Sequence, residues 1–130
     1  MMKYANKYVI YGLKNYKEVI AAVIKDLCAQ SCEFDIKLIL TEAISNAFYH
    51  GNNGNEELPI HIRYFLRNGL VTFEIEDCCK TPNKFVLPNP MAEPDPFQES
   101  NRGLFLIGCY ADKLEIQEGK LIIEKIIKAI

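Results

Sequence analysis

The chain has 130 residues, 49% of them apolar and 25% charged, with a formal net charge of −2. Those values fit one globular domain with a core of its own. Basic and acidic residues are interleaved, so no strong field would draw nucleic acid or an anionic membrane, and neither is expected as a direct partner.

No apolar run nears the roughly 20 residues that span a bilayer. The stretch from Met1 to Leu13 lacks the apolar length and cleavage site of a signal peptide, so a cytoplasmic protein is expected. The cysteines are odd in number: Cys28, Cys32, Cys78, Cys79 and Cys109. Cys28-x3-Cys32 with His50 and His61 does not complete a zinc pattern. Cys28, Cys32 and Cys109 are expected as small buried side chains in a reducing compartment.

In chain order, Lys7 to Leu13 is a short β-prone run carrying Val9, Ile10 and Tyr11. Helical spacing begins at Asn15, with Val19, Ile20, Val23, Ile24 and Leu27, and should break near Gln30 and Ser31. A second helix is predicted from Phe34 to His50, stopped by Gly51-Asn52-Asn53-Gly54. Pro59 to Leu66 alternates, Arg67-Asn68-Gly69 turns, and Leu70 to Asp77 returns as a strand, which is a hairpin signal. Residues 78 to 100 hold five of the six prolines. A loop that long in a compact domain is functional or disordered, and here it is expected to be a lid. Asn101 to Ala111 resumes helical spacing, and Lys113–Gln117 and Lys120–Ile126 close the chain as strands about Glu118-Gly119. The expected fold class is α+β, one domain over 1–130, with a mixed, mostly antiparallel sheet and helices on one face.

Projected at 100° per residue, Ile36, Leu40, Ala43, Ile44 and Ala47 share the sheet-facing side of the second helix. Glu42 and Asn46 lie one turn apart on the other side, with Asp35 and Tyr49 near them. A solvated face is the ordinary reading of such a stripe. Its acid, amide and phenol also suit a hydrated Mg²⁺ and a hydroxyl nucleophile.

Period two puts Asp77 on the apolar face with Val71, Phe73 and Ile75. A carboxylate there needs a hydrogen-bonding partner, because burying it alone would cost several kcal/mol. Either the strand has ended and Asp77 opens a turn, or its carboxylate lies at the floor of a pocket. Ser100-Asn101-Arg102-Gly103-Leu104 opens a helix, with Ser100 or Asn101 as N-cap. Its amides and dipole would suit phosphate oxygens, Gly103 would permit close approach, and Arg102 is either a phosphate partner or a surface arginine.

Together these features resemble the GHKL (Bergerat-fold) ATPases, and within them the anti-sigma serine kinases. Leu40-Thr41-Glu42-Ala43-Ile44-Ser45-Asn46-Ala47-Phe48-Tyr49-His50-Gly51-Asn52 looks like their N-box, E-x-x-x-N-x-x-x-H-G. Glu74-Ile75-Glu76-Asp77 looks like the strand entering the first glycine box. Ser100 to Ile107 resembles the second box, followed by the family-like Ala111 to Ile116. The resemblance implies a two-layer sandwich that binds Mg-ATP. It makes Asn46 the Mg²⁺ ligand, Glu42 the general base, and Asp77 the acceptor from the adenine amino group. Gly103 and neighbouring amides would hold phosphates, and His50, Arg102 and Leu104 are counted with the nucleotide-binding positions. The implied partners are a sigma factor and an anti-anti-sigma (STAS-type) protein whose serine is phosphorylated, with a homodimer implied by the resemblance alone.

The chain departs from the pattern in three places. Asp77 is followed by Cys78-Cys79-Lys80-Thr81 instead of x-Gly-x-Gly, Asn101 stands where a glycine is common, and Gly119-Lys120-Leu121 lacks the threonine often found near the adenine. Three readings stay open: an ATP-dependent protein serine kinase; a weakened or inactive anti-sigma binding module that sequesters its partner without ATP; and, ranked last because the chain has no phospho-acceptor helix pair and its N-box ends in His-Gly, the detached ATP-binding domain of a sensor histidine kinase.

Overall fold

The computed structural model describes residues 3–78, 99–117 and 119–127. Chain order is β1 (Lys3–Tyr11), α1 (Tyr16–Asp26), a 3₁₀ turn (Gln30–Cys32), α2 (Glu33–Asn46), a π-helical turn (Ala47–Gly51), β2 (Pro59–Arg67), β3 (Leu70–Glu76), α3 (Glu99–Tyr110), β4 (Lys113–Gln117) and β5 (Lys120–Ile126). The strands form one sheet in the order β1-β2-β3-β5-β4. All four pairings are antiparallel; the described strands contain none of the parallel pairs a mixed sheet would have. Among the described residues no helix is long and apolar enough to cross a membrane.

The two faces of the sheet differ because side chains alternate along each strand. Ile60, Ile62 and Tyr64 of β2, Val71, Phe73 and Ile75 of β3, and Leu121 and Ile123 of β5 are buried beneath the helices. They pack with Ile20, Val23 and Ile24 of α1, Ile36, Ile39, Leu40, Ala43 and Ile44 of α2, and Leu104 and Ile107 of α3. Each such side chain removed from water contributes about 1.5–3 kcal/mol before entropy is counted. The opposite face carries an ion-pair ladder. Arg63 reaches Glu74 at 3.4 Å and Glu76 at 2.5 Å, and Lys120 lies 3.8 Å from Glu74. The Arg63 hydrogen bond holds the Glu76 carboxyl below its ordinary range, against the opposing effect of burial.

The β2–β3 hairpin closes through Asn68 (φ 53°) and Gly69 (φ 78°), with Arg67 opposite Leu70. Two successive positive φ values make the two-residue turn whose twist matches the strands. α1 ends at Asp26, earlier than its spacing suggests. Ala29 N–H donates to the Ile24 carbonyl and Cys28 N–H to that of Lys25, with Cys28 left-handed at φ 52°. That is a Schellman closure, and the buried Ala29 and Ile24 supply its apolar contact. The Tyr64 hydroxyl ties this helix end to the sheet by donating to Asp26 at 2.5 Å. Burial and this partner push the phenol well above its usual range.

The expectation of buried cysteines fails at all three positions: Cys28 and Cys109 are exposed, and Cys32 is only half-buried. Cys28 projects outward because its backbone turns left-handed at the helix end. The lid expected over 78–100 lies outside the described residues from 79 to 98.

Candidate nucleotide site

α2 brings the N-box residues to the sheet. Its apolar stripe is fully buried at Ile36, Leu40, Ala43 and Ile44, which leaves Thr41, Glu42, Ser45 and Asn46 half-buried. Asn46 is the last residue of α2, and the helix then widens into the π turn, where Asn52 N–H donates to the Ala47 carbonyl at 2.8 Å. Wide turns of this kind are uncommon and recur at functional sites. The Asn46 Nδ2 is buried and has no hydrogen-bond partner. A buried amide left unpaired costs stability, so a ligand that engaged Asn46 would satisfy a need the fold leaves open.

Asp35 does not extend this polar line. Its carboxylate accepts from Lys125 Nζ at 3.0 Å, and the same amine donates to the Tyr110 carbonyl at 2.8 Å. Asp35 therefore ties the start of α2 to β5 and to the end of α3. Tyr49 is exposed, with its ring set edge-on against Phe48.

β3 ends at Glu76, and Asp77 continues its direction for one more bond, donating its N–H to the Gly119 carbonyl at 2.9 Å. The carboxylate lies half-buried against Gly51, so closely that a Cβ on Gly51 would fall inside it. Across α2, Gly103 faces Glu42: a Cβ there would lie 3.9 Å from Glu42 Oε2. Two glycine contacts thus bracket Asn46, one bringing α3 to Glu42 and the other bringing the end of β3 to the π turn.

α3 starts at Glu99, so Ser100 and Asn101 lie within its first turn and are not N-caps. Gly103 is accordingly an interior helix position. Arg102 and His50 are exposed, while Leu104 is 1% exposed and its side chain belongs to the core.

Asn52 is a residue whose role the sequence conceals. It is 1% exposed, the one buried polar side chain among the described residues. Its Nδ2 donates to the carbonyls of Leu58 at 3.5 Å and Pro59 at 3.3 Å, and its Oδ1 accepts from Cys78 N–H at 2.8 Å. In sequence it sits inside a Gly/Asn cluster that reads as turn chemistry. The only visible signal was its place directly after the His-Gly of the N-box.

The described residues contain no group of three or more His, Cys, Asp and Glu arranged to hold a metal ion. An amide and a carboxylate one turn apart suit Mg²⁺ of another kind, held mainly by phosphate oxygens and water with one protein ligand. The model of the histidine kinase-like ATPase domain family matches residues 13–125. A search of curated proteins finds no match to the chain.

Proposed function

Because this chain belongs to the histidine kinase-like ATPase domain family, we propose that it binds Mg-ATP between α2, α3 and the end of β3. The observation that carries this reading is the Asn46 Nδ2, a buried atom with no hydrogen-bond partner, on the same helix line as Glu42. An amide turned by 180° presents Oδ1 in place of Nδ2, so Asn46 has an oxygen to offer a cation. Asp77 accepts from the amino group of the base, held in place by its contact with Gly51. Glu42, half-buried beside Gly103, takes the proton from an attacking hydroxyl. Bound Mg²⁺ would supply charge neutralisation at the phosphates. Arg102 and His50, both exposed, are counted with the phosphate end, and the main chain about Gly103 is the close-approach surface.

The finer reading is an anti-sigma-type regulator. The hydroxyl is a serine of an anti-anti-sigma (STAS-type) protein, and a sigma factor is the alternative partner. What supports it is the family membership together with the intact Glu42–Asn46 pair. A second reading rests on the altered glycine boxes: Cys79 and Thr81 stand where the family pattern has glycines, and Asn101 stands where a glycine is common. On it, the chain sequesters its partner by protein contacts without turning over ATP.

Calorimetric titration with ATP and Mg²⁺, beside Asp77→Asn, separates these. Saturable binding that the variant loses supports the nucleotide site, and phosphoserine formation lost in Glu42→Ala then supports the kinase. Absence of heat with either protein, alongside intact partner binding, favours the sequestering module.

A further inference from the structure

Asp77 is fixed by two successive backbone amides on opposite sides. Its own N–H donates to Gly119 of the neighbouring strand, and the next N–H, of Cys78, donates to the Asn52 side chain. Asn52 is in turn held by the two carbonyls at the start of β2 and by its own N–H on Ala47. Gly51, whose Cα supports the Asp77 carboxylate, is its immediate neighbour. One buried carboxamide therefore joins the π turn after Asn46, the first residues of β2 and the exit of β3.

We propose that Asn52 is a positioning residue for base recognition: it sets the direction of the Asp77 carboxylate and so makes the site select an amino-bearing purine over an oxo-bearing one. The inference rests on the nucleotide-site reading above. The chemistry of the side chain explains the residue type. Both donors and an acceptor are in use at once, which neither Asp (acceptors only) nor Leu (neither) can reproduce. Aspartate would keep the Cys78 bond but set its charge against the Leu58 and Pro59 carbonyls. Alanine would release all three groups.

The test combines two measurements on the whole chain. Amide hydrogen exchange of the free protein reads the local anchor; titration with Mg-ATP and Mg-GTP reads selectivity. In wild type the Cys78 amide is protected and ATP binds more tightly than GTP. In Asn52→Ala the Cys78 amide exchanges at least about tenfold faster, and the ATP-to-GTP affinity ratio falls by about tenfold. Asn52→Asp keeps the acceptor and loses less of both, and it carries the comparison if the alanine variant fails to fold. A folded variant with faster Cys78 exchange and an unchanged ratio overturns the positioning role and leaves the nucleotide site standing. An unchanged Cys78 exchange rate overturns it at the first step. Wild type that binds neither nucleotide overturns the underlying reading and this inference with it.

Discussion

The Cα of Gly51 and the carboxylate of Asp77 touch so closely that the space for a Cβ at position 51 is already filled by Asp77 Oδ2 and Cγ. Gly51 has no left-handed φ, so what it supplies is room and not conformational freedom. The His-Gly ending of the N-box is in this fold a steric fit between a helix end and a strand end.

Gly51→Ala should therefore do two things together. Forcing the methyl group in displaces the carboxylate or the turn and costs about 1–3 kcal/mol, as overpacking does. Urea unfolding measures that loss. Calorimetry with Mg-ATP should show binding weakened beyond what Asp77→Asn alone causes, because the turn after Asn46 moves as well.

Gly103→Ala should behave in the opposite way toward stability. The added methyl meets Glu42 only at ordinary contact distance, 3.9 Å, and the residue lies inside α3. Replacing a helix-interior glycine gains about 1 kcal/mol. If the main chain here is where phosphates approach, thermal stability rises while nucleotide affinity falls. A gain in stability with unchanged affinity would remove Gly103 from the site.

Lys125 should reveal an asymmetry with its partner. Its side chain is 14% exposed and that of Asp35 34%. Asp35→Ala leaves a mostly buried amine with only the Tyr110 carbonyl and should cost about 1–3 kcal/mol. Lys125→Met leaves a carboxylate that water can reach, and should cost less. Denaturant midpoints of the two variants check the order.

The open-face ladder should show in the pH dependence of stability. Arg63 depresses the folded-state value of Glu76 from its ordinary 4.5. Its contribution is therefore complete above that value and is lost as pH falls through the depressed folded one. The Glu76 side chain is 39% exposed, so solvent screening limits the pair to about 0.5 kcal/mol. Arg63→Met should be less stable than wild type by that amount near neutrality, with the gap closing below about pH 4.5 and narrowing in high salt.

Local pattern carried much of the fold. The alternation in β2 and β3, the Asn68-Gly69 turn, the apolar stripe of α2 and the final hairpin are properties of neighbouring residues, and the structure realises each nearly at its expected bounds. Strand and helix periods translate directly into which side chains share a face. Where local signals are weak the structure departs from the expected bounds. Cys28 entered a left-handed helix end that usually belongs to glycine, so α1 stops at Asp26 and the thiol points outward. The first turn of α3 takes in Ser100 and Asn101, and a residue of capping type caps a helix only where its own backbone is non-helical.

The sequence by itself determined the order of elements, the buried face of α2 and the identity of Glu42, Asn46 and Asp77 as residues set apart from the core. Only the tertiary structure decided how these come together. Asp35 and Glu42 lie on one helix, yet Lys125 of β5 claims the first and Gly103 of α3 faces the second. Asn52 reads as one more turn residue until β2 and β3 are laid beside it and its carboxamide meets the Leu58, Pro59 and Cys78 main chain. The reason is physical: periodicity fixes the direction of a side chain relative to its own helix or strand, while its partner is fixed by the packing of segments far apart in the chain.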